Sequence, residues 1–250
     1  MRNPPGVEAT FSQLWAQQGR NLTHGMLDVL GRTIVVGNYG HRLFATEAEL
    51  AKRYGVSRAV TREAVKMLSA KGLLSTRARR GIIVQPTASW NLFDPDVLRW
   101  LQERKVSFEL LRHFYQLRMA VEPEAAALAA VWAGTGDRKL INSALERIEA
   151  AAGELESPQD VCIAFHAAIL VASENPLFAQ FQNLTATALR MAFRFTSRIS
   201  GFCPDVDAYV AIRDAIMKKS ADQARNAMRR TISGVLKLAE ANSDAKPVKS

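Results

Sequence analysis

From Phe11 to Val36 apolar residues recur at Leu22, Met26, Leu27, Leu30 and Ile34, a spacing that predicts an amphipathic helix ended by Gly37, Asn38 and Gly40. Thr46 and Glu49 form a capping-box pattern, opening a short helix through Leu50 to about Tyr54. Gly55 and Val56 make a turn, and Ser57 caps a third helix to Lys71, with Val60, Ala64, Val65 and Leu68 as its buried face. Gly72 ends it. Leu73–Thr76 and Gly81–Gln85 read as two strands around the basic tip Arg77-Ala78-Arg79-Arg80. The pattern to this point is a winged helix-turn-helix, three helices plus a two-stranded β wing, over residues 11–86. Gln85–Ser89 reads as a linker.

After Trp90 the periodicity is helical throughout. The candidates are Asp94–Glu103, Ser107–Ala133, Asp137–Ala152, Ser157–Ser173, Pro176–Ile199, Val206–Lys218 and Ala221–Asn242. Residues 91–242 therefore form a second, all-helical bundle, and the fold class is mainly α. No fixed-period repeat occurs, and residues 243–250 read as a disordered tail.

Charge separates the two parts. Residues 1–90 hold 13 Lys and Arg against 5 Asp and Glu, while residues 91–250 hold 20 against 19. Only the first part is basic, so an anionic partner, double-stranded DNA, is expected there. The two cysteines, Cys162 and Cys203, stand in separate apolar surroundings, and no run of 18 apolar residues occurs. A reducing cytoplasmic setting without a membrane span is expected.

The helix opened by Ser57 carries the chemistry of a DNA reader. Arginine suits bidentate contact with guanine, and a capped helix N-terminus suits a phosphate. The same residues on a solvated surface helix would mean nothing. The capping-box helix before it, the basic hairpin after it and the local charge favour DNA. Glu63 is expected to orient an arginine.

Phe44-Ala45-Thr46-Glu47-Ala48-Glu49-Leu50, Tyr54-Gly55-Val56-Ser57-Arg58, Arg62-Glu63-Ala64 and Lys71-Gly72-Leu73-Leu74 resemble the winged helix-turn-helix of the GntR family of bacterial regulators, over about residues 20–86. That resemblance implies a homodimer on an operator. It implies that Ser57, Arg58, Ala59 and Arg62 face bases and phosphates, with Thr46 near a phosphate. The wing tip Arg79-Arg80-Gly81 would reach the minor groove. Ala45 replaces the family's usual Pro, and Ala48 replaces an Arg that FadR-type members often place on DNA.

The second part resembles the FadR-type subgroup with an FCD effector domain, through Leu117–Pro123, Phe165-His166, Ala172–Pro176 and Ala211–Ile216. Trp90–Trp100 is similar to the same stretch in sugar-acid regulators, the galactonate-operon repressors among them. Many FCD domains bind a divalent metal through one Asp and three His, and these positions fall here at Cys162, His166, Tyr209 and Thr231. Only His166 survives as a usual ligand, so no metal or other cofactor is expected. His166 could be a core histidine bonded to Tyr209 or Thr231. The preferred reading is that these four polar side chains line an effector pocket. Arg190, Arg194 and Arg198 step by four along one face, where Arg198 reads as solvated. Arg118 and Arg190 are the residues expected to hold a carboxylate.

The reading is a transcription repressor of a carbohydrate-acid operon, released from a palindromic operator by a small carboxylate, a sugar acid above all. One alternative is a metal-responsive regulator using Cys162 and His166. Another is a Cys–His enzyme, against which stands the lack of an orienting third residue, a P-loop or paired catalytic carboxylates.

Overall fold

The computed structural model describes residues 22–37, 43–77, 81–105, 107–151, 157–196 and 205–243. It divides into two compact units, Met1–Lys105 and Val106–Ser250. The start of the first expected helix, Arg79, Arg80, Arg198, Cys203 and the tail beyond 243 lie outside the described residues.

In the first unit α1 (Leu22–Gly37) buries Met26, Leu27, Leu30, Ile34 and Val35. Next, α2 (Glu47–Tyr54) begins on the expected capping box. The Thr46 amide donates to Glu49 Oε2 at 2.8 Å, and the Glu49 amide donates to Thr46 Oγ1 at 3.3 Å. Gly55 closes α2 at φ 64°, a left-handed conformation that glycine adopts without a Cβ penalty. In α3 (Arg58–Ala70) the buried set is Thr61, Ala64, Val65 and Leu68. Thr61 takes the interior place expected of Val60, because its hydroxyl donates to the Ser57 carbonyl and is satisfied inside the helix.

Strands β1 (Leu74–Arg77) and β2 (Gly81–Val84) pair antiparallel, with Leu74 opposite Val84 and Arg77 opposite Gly81. Leu43 adds a bridge to Ile83, and the Phe44 amide donates to the Ile82 carbonyl at 2.8 Å. The chain before α2 thus anchors the wing, which sequence spacing did not indicate.

Two expectations are corrected beyond the wing. Residues 85–89 are no loose linker. They include a 3₁₀ turn (Thr87–Ser89), with Trp90 Nε1 donating to the Gln85 carbonyl and the Asn91 amide to the Lys71 carbonyl, both at 2.9 Å. Gly72, at φ 78°, lies so close to the Ser89 carbonyl that a Cβ could not fit. The following α4 (Pro95–Glu103), grouped from sequence with the second domain, packs on α1 in the first unit. Trp100 lies against Gly31, and its Nε1 donates to Asp28 at 2.7 Å. Lys71 ties the end of α3 to the start of α4 through Asp94 at 2.7 Å and Asp96 at 2.9 Å. Partial burial works against the ammonium, but the two carboxylates hold its pKa above the usual lysine value.

The second unit contains α5 (Phe108–Trp132), α6 (Thr135–Ala150), α7 (Pro158–Ala172), the single turn α8 (Pro176–Ala179), α9 (Gln182–Thr196), α10 (Val206–Met217) and α11 (Ala221–Ser243). Helix α5 is central and packs against α7, α8, α9, α10 and α11. Its buried Ala125, Ala126, Ala127, Ala129 and Ala130 let neighbouring helices approach closely. The helix expected over Pro176–Ile199 is broken at Gln180 and Phe181. There the Phe181 amide bonds the Phe178 carbonyl, a tighter turn that places both rings on the Val121–Ala125–Leu170 cluster. No helix among the described residues is long and apolar enough to cross a membrane.

Candidate DNA-reading face and candidate effector pocket

On α3 the side opposite the core exposes Arg58, Ala59, Arg62, Glu63 and Lys66. Ser57 caps the helix by accepting the Val60 amide at 3.2 Å, and its own O–H remains available to a phosphate. Arg58 and Arg62 make no ion pair among the described residues. Glu63 pairs with Lys66 at 2.9 Å instead of orienting an arginine, since the i+3 ammonium is the nearer partner. Thr46 differs from Ser57. Its amide and hydroxyl both donate to Glu49 Oε2, so a phosphate would have to displace that carboxylate. These bonds hold the Glu49 carboxyl below the usual range. Ala48 lines an open hollow with Glu49, Lys52, Gly55 and Arg58 at the helix-turn-helix corner. Gly81, at φ 75°, is exposed at the base of the wing tip.

In the second unit a small cavity is lined by Tyr115, Arg118, His166, Tyr209 and Thr231 on its polar side. Leu189, Ala192, Phe193, Ile232 and Val235 form its apolar side. Arg118, His166, Tyr209 and Thr231 are thus brought together from α5, α7, α10 and α11. Its volume is about 10 Å³, room for one water at most. Cys162 is buried beside it, in hydrogen-bond contact with Tyr209. Arg190 is not brought there. It is half-exposed and pairs with Asp160 at 3.4 Å.

The residue that sequence reasoning missed is Glu122, which organises the cavity floor. Arg118 donates to it through Nε at 2.6 Å and Nη2 at 3.0 Å, Thr185 Oγ1 donates at 2.9 Å, and His166 Nδ1 lies at 2.7 Å. Each carboxylate oxygen therefore has two partners. Burial alone would raise the Glu122 pKa, but Arg118 and His166 hold it far below the usual carboxylate range. Burial keeps the His166 imidazole toward its neutral form despite Glu122. His166 is accordingly a satisfied interior histidine, but its partner is Glu122, not Tyr209 or Thr231. The i,i+4 spacing of Arg118 and Glu122 was the available signal.

This donor set does not fit a metal. Both Glu122 oxygens are saturated by protein donors, Cys162 bonds Tyr209, and Thr231 donates to the Ala227 carbonyl at 3.1 Å. Among the described residues no three of His, Cys, Asp and Glu converge on one point. Nor do Cys162 and His166 form a nucleophile–base pair, since each has another partner.

Comparison with known proteins gives the same two parts. Residues 34–84 match bacterial regulatory proteins of the gntR family, and residues 113–234 match the FCD domain. The HTH-type transcriptional regulator YieP of Escherichia coli (strain K12) is 33% identical over 216 residues, covering 85% of this chain and 92% of that protein. The galactonate operon transcriptional repressor of the same organism is 32% identical over 211 residues, covering 83% and 92%. Among solved structures, Listeria monocytogenes Lar shares the fold at a TM-score of 0.56 and 16% identity, covering 89% of this chain and 98% of its own. E. coli McbR/YncC does so at 0.52 and 16%, covering 90% and 100%. GntR regulators bind DNA, FCD domains bind small-molecule effectors, and neither is an enzyme. The chain belongs to the GntR family of bacterial transcription regulators, with an FCD domain following its winged helix-turn-helix.

Proposed function

We propose that this regulator represses a carbohydrate-acid catabolic operon and leaves its operator when a small carboxylate, a sugar acid, enters the second unit. One observation carries the reading. A cavity floored by Arg118, His166, Tyr209 and Thr231 occurs in a chain 32% identical to a galactonate operon repressor. In this reading a homodimer presents two α3 faces to a palindromic site. Ser57 and the α3 N-terminus hold a phosphate, Arg58, Ala59 and Arg62 meet base edges, and Arg79, Arg80 and Gly81 enter the minor groove. In the pocket, Arg118 Nη1 is the guanidinium nitrogen not bonded to Glu122, and it is assigned to the effector carboxylate. Cys162, paired with Tyr209, backs the pocket. Arg190 serves only if Asp160 releases it. A six-carbon acid exceeds the observed cavity, so the apolar wall from α9 and α11 must withdraw on binding. Such a displacement couples to DNA by whatever difference in effector affinity separates the DNA-competent and released forms.

The test selects genomic fragments with the full chain, footprints the bound site, and then titrates galactonate. Two symmetric protected half-sites, lost as galactonate is added, are expected. A single unsymmetric footprint, or one that galactonate and other sugar acids leave intact, would contradict the reading.

A further inference from the structure

Besides Arg118 Nη1, the effector cavity has a second polar group left over. Arg118 and His166 are bound to Glu122, Tyr209 to Cys162 and Thr231 to the Ala227 carbonyl. The Tyr115 hydroxyl, on a side chain only 1% exposed, has no hydrogen-bond partner among the described residues although it lines the same cavity. Arg118 lies near enough to bear on the acidity of the phenol, its Cζ over the ring 4.8 Å from the centroid, but it completes no well-formed hydrogen bond to the hydroxyl. A buried hydroxyl without a partner is costly and uncommon, and in a ligand cavity it marks where a ligand atom is wanted.

We propose that Tyr115 is a specificity-determining residue of this pocket, its hydroxyl pairing with a hydroxyl group on the acid that enters. The inference rests on the acid-effector reading above. With the carboxylate assigned to Arg118, which stacks on the Tyr115 ring, the group that meets the phenol is the next one along the acid's chain. Burial pushes the Tyr115 pKa up to about 12 against the pull of Arg118, so the phenol stays a neutral donor and acceptor that suits an alcohol. The opposite wall cannot make this distinction. Leu189, Ala192, Phe193, Ile232 and Val235 offer only apolar contact, which separates a hydroxy acid weakly from its hydroxyl-free counterpart. An unpaired buried phenol rejects the counterpart strongly.

The test is calorimetric titration of the full-length wild type and Tyr115→Phe with galactonate and with hexanoate, which has the same chain length and no hydroxyls. Wild type is expected to favour galactonate by about tenfold or more, and Tyr115→Phe to weaken galactonate by about tenfold while leaving hexanoate unchanged. Equal galactonate affinity in the two proteins would overturn the role of Tyr115 and leave the acid reading standing. A wild type that binds neither acid overturns both. Melting of the unliganded proteins supplies an independent readout. Tyr115→Phe should melt no lower than wild type, and a fall of several degrees would show that the hydroxyl makes a structural bond and refute the inference.

Discussion

The arginines of α3 and the arginine of α5 meet opposite conditions. Arg58 and Arg62 stand exposed without an ion pair among the described residues, held in place by a helix that Ser57 caps. Arg118 is 2% exposed and bound by two nitrogens to Glu122. An exposed guanidinium keeps its hydration until DNA phosphate or guanine replaces it, so it adds to binding and little to folding. A buried one must be compensated within the fold, so its partner is a stability residue first. On the proposed reading, DNA chemistry stays on the surface and effector chemistry inside a neutralised cluster.

The largest effect that sharpens this contrast belongs to Glu122. Glu122→Ala leaves a buried guanidinium without its carboxylate, and chemical denaturation should show a loss of about 3–5 kcal/mol. A loss under about 1 kcal/mol would mean that Arg118 finds water in the folded state and that the two sets of arginines are alike. Next comes the packing of α4 on α1. The methyl of Gly31→Ala would overlap the Trp100 ring, and a loss of about 1–3 kcal/mol is expected by thermal melting despite alanine's better helix propensity. Full tolerance would place α4 less firmly on α1 than described.

The smallest effect is a pH dependence. The folded state holds the His166 pKa below its unfolded value, so the unfolded chain takes up the proton first. This contribution to stability is present above the unfolded value of about 6.5 and declines as pH falls through it toward the folded one. Glu122, depressed by its partners, adds to the acid loss at lower pH, below the ordinary carboxylate range. Melting temperature should therefore fall on acidification from about pH 7, and His166→Gln should flatten the first part of that fall. An unchanged slope in the variant would show that His166 does not set it.

What was legible in the sequence was local. The Thr46–Glu49 box, the Ser57 cap and the Gly55 turn are decided by residues three or four apart, and each forms as read. What escaped depends on distant partners. Trp100 finds Gly31 and Asp28 across the first unit, which moves α4 out of the second domain's share of the chain. Glu122 is linked to Arg118 by spacing, but its bonds to Thr185 and His166 come from helices far along the chain. Pro176 opens a helix as expected, yet the break at Phe181 follows from where two phenylalanine rings pack.

That α3 reads DNA through its exposed arginines is tested most directly by titrating a selected operator with wild type and Arg58→Ala while following both melting curves. Specific affinity should fall by about 1–3 kcal/mol for each base that Arg58 reads, with stability within about 0.5 kcal/mol of wild type. Unchanged operator affinity in Arg58→Ala would contradict the assignment of α3 as the reading helix.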